Sequence, residues 1–406
     1  MWFGVPDALF VRECARVSER SPIRRRLKVA QSTRVFIHRG GLRKTCPSRV
    51  WEYKCGKARA PGRIAMAVRS FMPSGRVQLA HVQEAAERLK AVGALPTPIL
   101  RSSIIDKSVG CVCHFKGEHL QRTGSFKYRG ATNAVGALDA KTAANGVVAH
   151  SSGNHGAAVA AAAQARGIPC CIVVPHTTPA AKIENIERYG ARVVLCEPTQ
   201  TARTEASAAQ VKAMGATFVH PYDDALVLAG QGTIGLELHE QLGRDELDAV
   251  LVPVSGGGLI SGIAVAIKAL RPSVRVIAVE PQGKELQLCL AKRQRVIDAA
   301  TANAPIDTIA DAIRTKAFGP TPWASASDLL DPTVLSVSNA QIGEAMRVAF
   351  VEMKQVVEPA GALTLAALLA PEFGALRAQG LVHVAAVVCG GNVDLELLMR
   401  HVAPRS

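Results

Sequence analysis

From Val77 onward, apolar and polar positions settle into two alternating periods. Val82, Ala85, Ala86 and Leu89 recur at the three- and four-residue spacing of one helical face, predicting a helix over Val77–Val92. Leu95-Pro96-Thr97-Pro98 stops it, because neither proline can continue a helix. A second helix is predicted from Lys127 through Leu138. Beyond it, short Val/Ile/Leu-rich runs alternate with helical stretches. The runs predict strands at Val147–Ala149, Cys171–Val174, Val193–Cys196, Ala249–Val254, Val276–Val279 and Val384–Val388. The intervening pattern predicts helices at Gly156–Arg166, Pro179–Tyr189, Ala202–Met214, Thr233–Leu242, Leu259–Leu270 and Asn339–Lys354. Strands apolar on both faces need cover on both, and strand–helix alternation predicts an α/β fold with parallel sheets.

At 406 residues the chain is too long for one small core, so two lobes are expected. The net charge of +15 would suit a nucleic-acid partner were it spread over the chain. It is not: residues 1–76 hold 18 of the 48 Lys+Arg and 4 of the 33 Asp+Glu, leaving 30 bases against 29 acids in the remainder. The body is nearly neutral, and no nucleic-acid partner is expected. The basic segment, residues 1–72 with Arg24-Arg25-Arg26 and scarce acids, reads as an organelle transit peptide or as an upstream extension with Met66 or Met72 the true start. A mitochondrial or plastid location follows from the first reading and a cytoplasmic one from the second. Alanine-rich stretches such as Ala157–Ala165 fall short of the ~18–20 residues of a membrane span, so no membrane partner is expected either. The ten cysteines form no disulfide framework in a chain this long. Cys111-Val112-Cys113-His114-Phe115 reads as a strand with both thiols on one face, and no Cys-x-x-Cys or matching histidine spacing marks a metal site.

The candidate chemistry lies in four short blocks. Lys127 sits in Gly124-Ser125-Phe126-Lys127-Tyr128-Arg129-Gly130-Ala131, just where a helix opens. Ser151-Ser152-Gly153-Asn154-His155-Gly156 follows one predicted strand, and Ser255-Gly256-Gly257-Gly258-Leu259 follows another. Both precede helices, whose first N–H groups make anion cradles. A helix cap explains one residue of the first loop, and a tight turn is the plain alternative for the second. Cys389-Gly390-Gly391-Asn392 places a further glycine turn at a strand's carboxyl end, where ligands of open parallel sheets collect. A nucleophilic amine with two backbone cradles suits an aldehyde cofactor bearing a phosphate. A nicotinamide oxidoreductase is disfavoured, because the Gly-x-Gly-x-x-Gly pattern begun at Gly256 ends on Ser261.

Together these blocks resemble the fold-type II pyridoxal-phosphate enzymes, in the serine racemase and serine/threonine dehydratase branch. The resemblance spans about residues 77–398 and includes Ala229-Gly230-Gln231-Gly232-Thr233 and Glu358-Pro359-Ala360-Gly361. It implies a two-lobe α/β architecture like that of the tryptophan synthase β-subunit, with pyridoxal 5'-phosphate between the lobes. Residues 73–146 and 226–406 would form the large cofactor-binding lobe and 147–225 the small one. It implies that Lys127 carries the cofactor as a Schiff base and moves the substrate's α-proton, that Phe126 lies beside the ring, and that Asn154 bonds the phenolic oxygen. Gly256, Gly257, Gly258 and Leu259 would hold the phosphate. Ser151, Ser152, Asn154 and His155 would meet the substrate, with Ser152 as the second acid/base.

Cys389 would face the pyridine nitrogen as a neutral partner, favouring β-elimination or proton exchange over transamination. It leans the reading toward an L-threonine/L-serine ammonia-lyase. Ser152 permits the alternative, a serine or aspartate racemase with side elimination. Arg203 stands where racemases bind dicarboxylates, which keeps 3-hydroxyaspartate dehydration open, or else is a solvated helix-start arginine. Departures are as telling. The family's divalent-cation loop begins at Glu280-Pro281, but its later carbonyl and acid positions are Lys284 and Leu286, so that site is expected to be weakened or absent with Glu280 its one retained acid. Alanine at 157 and the missing C-terminal extension argue against control by ATP or isoleucine. The family implies a small amino-acid substrate and a homodimer.

Overall fold

The structure, a computed structural model, describes residues 76–296 and 306–403. The basic leader, 1–72, lies outside them. The described residues hold ten strands: β1 (Ile99–Leu100), β2 (Val112–Lys116), β3 (Val147–His150), β4 (Cys170–Pro175), β5 (Arg192–Cys196), β6 (Thr217–Phe218), β7 (Ala249–Pro253), β8 (Arg275–Pro281), β9 (Val334–Val337) and β10 (His383–Val387). They form a six-stranded sheet in the order β1-β2-β10-β7-β8-β9 and a four-stranded sheet in the order β5-β4-β3-β6. Only β1 runs antiparallel, pairing Ile99 with Lys116 and Leu100 with Phe115. Strands inside the sheets, such as β4 and β7, are buried at every position, while the edge strand β5 shows none of its five residues fully buried. Continuous Val/Ile runs therefore mark the interior of each sheet, as parallel pairing with helices on both faces demands.

Each strand expected from the sequence is present within two residues of its bounds, and so are most of the helices. Two differences have physical causes. The helix expected at Thr233 begins at Ala225, with Asp224 as its cap: the Oδ1 atom accepts the N–H groups of Leu226 and Val227. Gly230 and Gly232 lie inside it because backbones cross there. A Cβ on Gly230 would stand 2.6 Å from the Gly130 Cα, and one on Gly262 would stand 2.3 Å from the Leu228 carbonyl oxygen. Three helices, Lys127–Ala137, Ala225–Gln241 and Gly258–Leu270, thus pack at backbone distance. That crossing sets the lysine block against the triple-glycine block. The second difference concerns Glu358-Pro359-Ala360-Gly361, which none of the expected helices includes. Pro359 instead opens the helix Pro359–Leu369, where the missing N–H of a first-turn proline costs nothing. Residues 359–368 of that helix are all buried. The short strands β1, β6 and β9 carried too few residues to register as a period.

The strands β2, β10, β7 and β8 run parallel, so the segments leaving them gather at one edge of the large sheet. Two 3₁₀ turns, Glu118–Leu120 and Arg122–Gly124, carry the chain from β2 to Lys127. The lysine block is stitched to the end of β10: Ser125 bridges Gly390, and the Phe126 N–H donates to the Cys389 carbonyl at 3.1 Å.

Candidate active site

A cavity of about 380 Å³ opens at the strands' carboxyl ends and is lined by residues from both sheets. The structure gathers there every site residue expected from the sequence except Glu280: Phe126, Lys127, Ser151, Ser152, Asn154, His155, Arg203, Gly256, Gly257, Gly258, Leu259 and Cys389.

Lys127 is the first residue of its helix. Its Nζ donates to the Pro221 carbonyl at 2.7 Å and stands 4.9 Å from the centre of the Phe126 ring. Burial pulls its ammonium down to about 8, against the opposing influence of Cys389 and Glu358. An amine so placed is partly uncharged at neutral pH, as a nucleophile and base must be.

The triple-glycine loop opens the helix Gly258–Leu270, whose first intrahelical bond runs from Ser261 N–H to Gly257 O. The N–H groups of Gly256, Gly257, Gly258 and Leu259 therefore find no acceptor among the described residues. Gly257 has φ +93°, a backbone turn that a side chain rarely tolerates, and a Cβ there would collide with the Phe318 ring at 2.5 Å. On the other side Tyr222 closes against Gly256, where a Cβ would meet its ring at 2.4 Å. The second cradle starts the helix Asn154–Arg166, where the first such bond, Ala157 N–H to Gly153 O, leaves the N–H groups of Asn154, His155 and Gly156 without an acceptor among the described residues.

The side chains around this second cradle are more constrained than their motif suggested. The His155 ring is 3% exposed and its Nε2 faces the Val219 carbonyl at 2.9 Å. Burial, aided by Lys127, depresses it to about 3, so the ring is neutral and its buried Nδ1 has no partner. Asn154 is clamped: its Nδ2 donates to Glu358 Oε1 at 2.8 Å, and its Oδ1 accepts from Asn392 Nδ2 at 2.8 Å. The Ser151 hydroxyl accepts the Gly153 N–H at 3.2 Å. Ser152 differs from its neighbours: half-buried on the cavity, its hydroxyl has no hydrogen-bond partner among the described residues.

Glu358 closes the floor. The sequence marked its motif without giving it a role. It is 5% exposed, and burial pushes its carboxyl up to about 8, helped by Asp311 and opposed by Asn154 and the lysines. Cys389 beside it is buried and raised well above the usual thiol range by the same desolvation, and its Sγ donates to the Ala360 carbonyl at 3.3 Å. It is a neutral thiol. Arg203 lies half-buried in the cavity wall, its Nε buried and without a partner among the described residues. His150, lowered by burial and by Arg203, shares that wall. Lys182 and Asp311 meet there at 2.7 Å. Neither His220, Tyr222 nor this ion pair carried any signal in the sequence, because each lies outside a glycine motif and reaches the cavity only through tertiary packing.

The comparisons with known proteins accord with this geometry. A family described as pyridoxal-phosphate dependent enzymes matches residues 91–390. The chain is 42% identical over 315 residues to a serine racemase of Arabidopsis thaliana, covering 77% of this chain and 92% of that protein. It is 41% identical over 303 residues to a beta-hydroxyaspartate dehydratase of Paracoccus denitrificans, covering 74% and 92% respectively. The solved structure of a pyridoxal 5'-phosphate-dependent aspartate racemase superimposes with a TM-score of 0.75 at 42% identity, covering 80% of this chain and 99% of that one. The chain belongs to the pyridoxal-phosphate-dependent enzyme family, and its fold is the fold-type II α/β arrangement of these relatives.

Proposed function

We propose that this pyridoxal-phosphate-dependent enzyme inverts the configuration of a small amino acid at Cα, with loss of a β-hydroxyl as a second outcome at the same site. The observation that carries the reading is the free hydroxyl of Ser152 in the cavity that also holds the Lys127 amine. Inversion needs two proton carriers, and Ser152 is the one polar side chain of the Ser151–His155 loop with no hydrogen bond at all among the described residues. The dehydratase reading favoured by Cys389 becomes the secondary outcome, because racemases head the relatives, although a dehydratase stands among them.

The residues present fit the cofactor. A lysine amine held near 8 can bond an aldehyde, and four N–H groups without acceptors suit a phosphate. A thiol kept protonated suits a neutral ring nitrogen. When bound, the cofactor holds the substrate's amine and spreads the electron pair left at Cα. The protein does the rest. Lys127 moves the proton on one face of Cα and Ser152 on the other. Asn154, fixed between Glu358 and Asn392, has one N–H left for the phenolic oxygen. The substrate carboxylate is received by the N–H groups at the start of the helix Asn154–Arg166 and by the Ser151 hydroxyl proton. His155 contributes its main chain to that cradle, its ring being turned to Val219. The unpartnered Arg203 Nε, with His150 beside it, favours substrates with a second carboxylate, such as aspartate or 3-hydroxyaspartate.

Residues 147–225 as a small lobe, a homodimer, and residues 1–72 as an organelle address, or else an upstream extension of a cytoplasmic enzyme, belong to the same proposal. Among the described residues no helix is long and apolar enough to cross a membrane.

The test incubates holoenzyme with L-serine, L-aspartate, L-threonine and L-threo-3-hydroxyaspartate, measuring D-isomer and 2-oxo acid in the same tubes. D-isomer matching or exceeding oxo acid is expected from L-serine or L-aspartate. Ser152→Ala should cut D-isomer formation by ~10²–10⁴-fold, the worth of one acid/base group, while solvent deuterium still exchanges into the L-isomer. Oxo acid without D-isomer overturns inversion and leaves a dehydratase.

A further inference from the structure

Behind the cavity wall stands a lysine that the proposed chemistry does not use. Lys284 follows β8 and is half-buried. Its Nζ donates to the Ser255 carbonyl at 3.2 Å and to the Thr315 carbonyl. Both acceptors belong to segments that line the cavity. Ser255 immediately precedes the three glycines, and Thr315 lines the cavity together with Tyr222, whose ring closes on Gly256. Glu280, 1% exposed and the one acid of β8, favours the ammonium through its charge without an ion-pair contact, although burial pushes its own carboxyl up to about 7 and its Oε2 has no partner among the described residues. One ammonium thus ties the root of the anion cradle to the segment that walls it.

The same place tests the divalent cation implied by the resemblance. Such an ion takes six or more oxygens at roughly 2.0–2.6 Å. Leu286, where an acid was expected, is a buried hydrocarbon opening the helix Leu286–Ala291. No group of three or more His, Cys, Asp and Glu side chains gathers among the described residues. The residues do not fit a divalent cation; they fit a fixed monovalent one. Two of its three N–H donors go to the Ser255 and Thr315 carbonyls.

We propose that the Lys284 ammonium is a built-in cation that holds the phosphate-facing loop in shape, joining Ser255 to Thr315 beside the buried Glu280, so that this enzyme binds its cofactor without a divalent metal. An ion tethered to the chain cannot be removed by a chelator or displaced by a competing ion. The inference rests on the use of pyridoxal phosphate and not on which reaction follows.

The experiment uses the pyridoxal-phosphate-loaded full chain. Its melting temperature and cofactor absorbance are recorded with EDTA and with magnesium, calcium or manganese chloride, against sodium chloride at matched ionic strength. No cation-specific change is expected. Lys284→Met keeps the stem and removes the charge. It should bind pyridoxal phosphate roughly tenfold more weakly in a fluorescence titration, the worth of one charge-assisted hydrogen bond, and should displace the phosphorus NMR signal of the bound cofactor. Circular dichroism confirms its folding. Saturable stabilisation of the wild type by magnesium or calcium, reversed by EDTA, overturns the proposal. So does a folded Lys284→Met with unchanged affinity and phosphorus signal. If that variant does not fold, the cation titration of the wild type decides alone. None of these readings depends on whether D-isomer or oxo acid forms, so this proposal and the assignment of the reaction fail separately.

Discussion

Lys127 and Arg129 stand two residues apart on one helix, about 200° apart around it, and each meets a different kind of buried polarity. On the Arg129 side every charge is answered. Its guanidinium grips Glu118 through Nε at 2.7 Å and Nη2 at 2.8 Å, and Glu237 through Nη1 at 2.5 Å and Nη2 at 2.8 Å. Lys116, 0% exposed, donates to Glu237 at 2.6 Å, to Gln241 at 2.7 Å and to the Thr97 carbonyl at 2.8 Å. Burial alone would raise the Glu237 carboxyl, but Arg129 and Lys116 hold it below its usual range. Two acids and two bases share one closed set of bonds. On the Lys127 side the groups stay apart and burial dominates: the lysine and Glu358 each reach about 8 from opposite directions, and His155 keeps a buried nitrogen with no partner. Buried charges that satisfy one another make structure. Buried groups pushed toward neutrality and left incomplete keep capacity for a ligand and for protons.

Substituting the two neighbours in turn should separate those roles. Lys127→Ala is expected to remove at least ~10⁴-fold of the turnover, since nucleophile and base go together, while the protein melts near the wild-type apoenzyme's temperature. Arg129→Ala should do the reverse. Leaving Glu118 and Glu237 buried without their partner costs about 3–5 kcal/mol of stability, and any protein that remains folded should keep an active site. Chemical denaturation together with product assays reads both variants. An Arg129→Ala protein of unchanged stability, or a Lys127→Ala protein that unfolds, would break the distinction.

The two sides of this helix differ also in how far their sequence betrays them. Each block of the cavity was legible because it is local: glycines, hydroxyls and one lysine placed where strands give way to helices. The parallel sheets were legible because both faces of a buried strand must be apolar, which β4 and β7 obey at every position. The Arg129 network was not legible, although Arg129 sits inside the most informative motif of the chain. Its partner Glu237 lies 108 residues away, and nothing near Glu237 distinguishes it from a solvated helix acid. Glu358 was seen as part of a motif, but its role depends on Asn154, 204 residues distant, and on burial that no local pattern records. The start of the helix Ala225–Gln241 was obscured by Gly230 and Gly232, which look like breakers until the crossing helices explain them. Leu286 was legible as the loss of a metal ligand and Lys284 as a positive charge close by, and only the contact with Ser255 shows where that charge is held.

An effect confined to one range of pH tests the floor of the cavity itself. In the folded protein the Glu358 carboxyl is raised to about 8 from an ordinary 4.5. Between those values the unfolded chain has released a proton that the folded chain still holds. Stability from this group is therefore complete below 4.5 and drains away as pH rises toward 8. Glu358→Gln keeps the oxygen that accepts the Asn154 N–H but has no proton to lose. The melting temperature of the holo variant should run close to that of the wild type at acid pH, rise above it progressively as pH approaches 8, and keep a constant lead beyond. A lead that does not change with pH would mean that Glu358 is ionised in the folded protein. It would then belong with the answered charges around Arg129 and not with the neutral groups around Lys127.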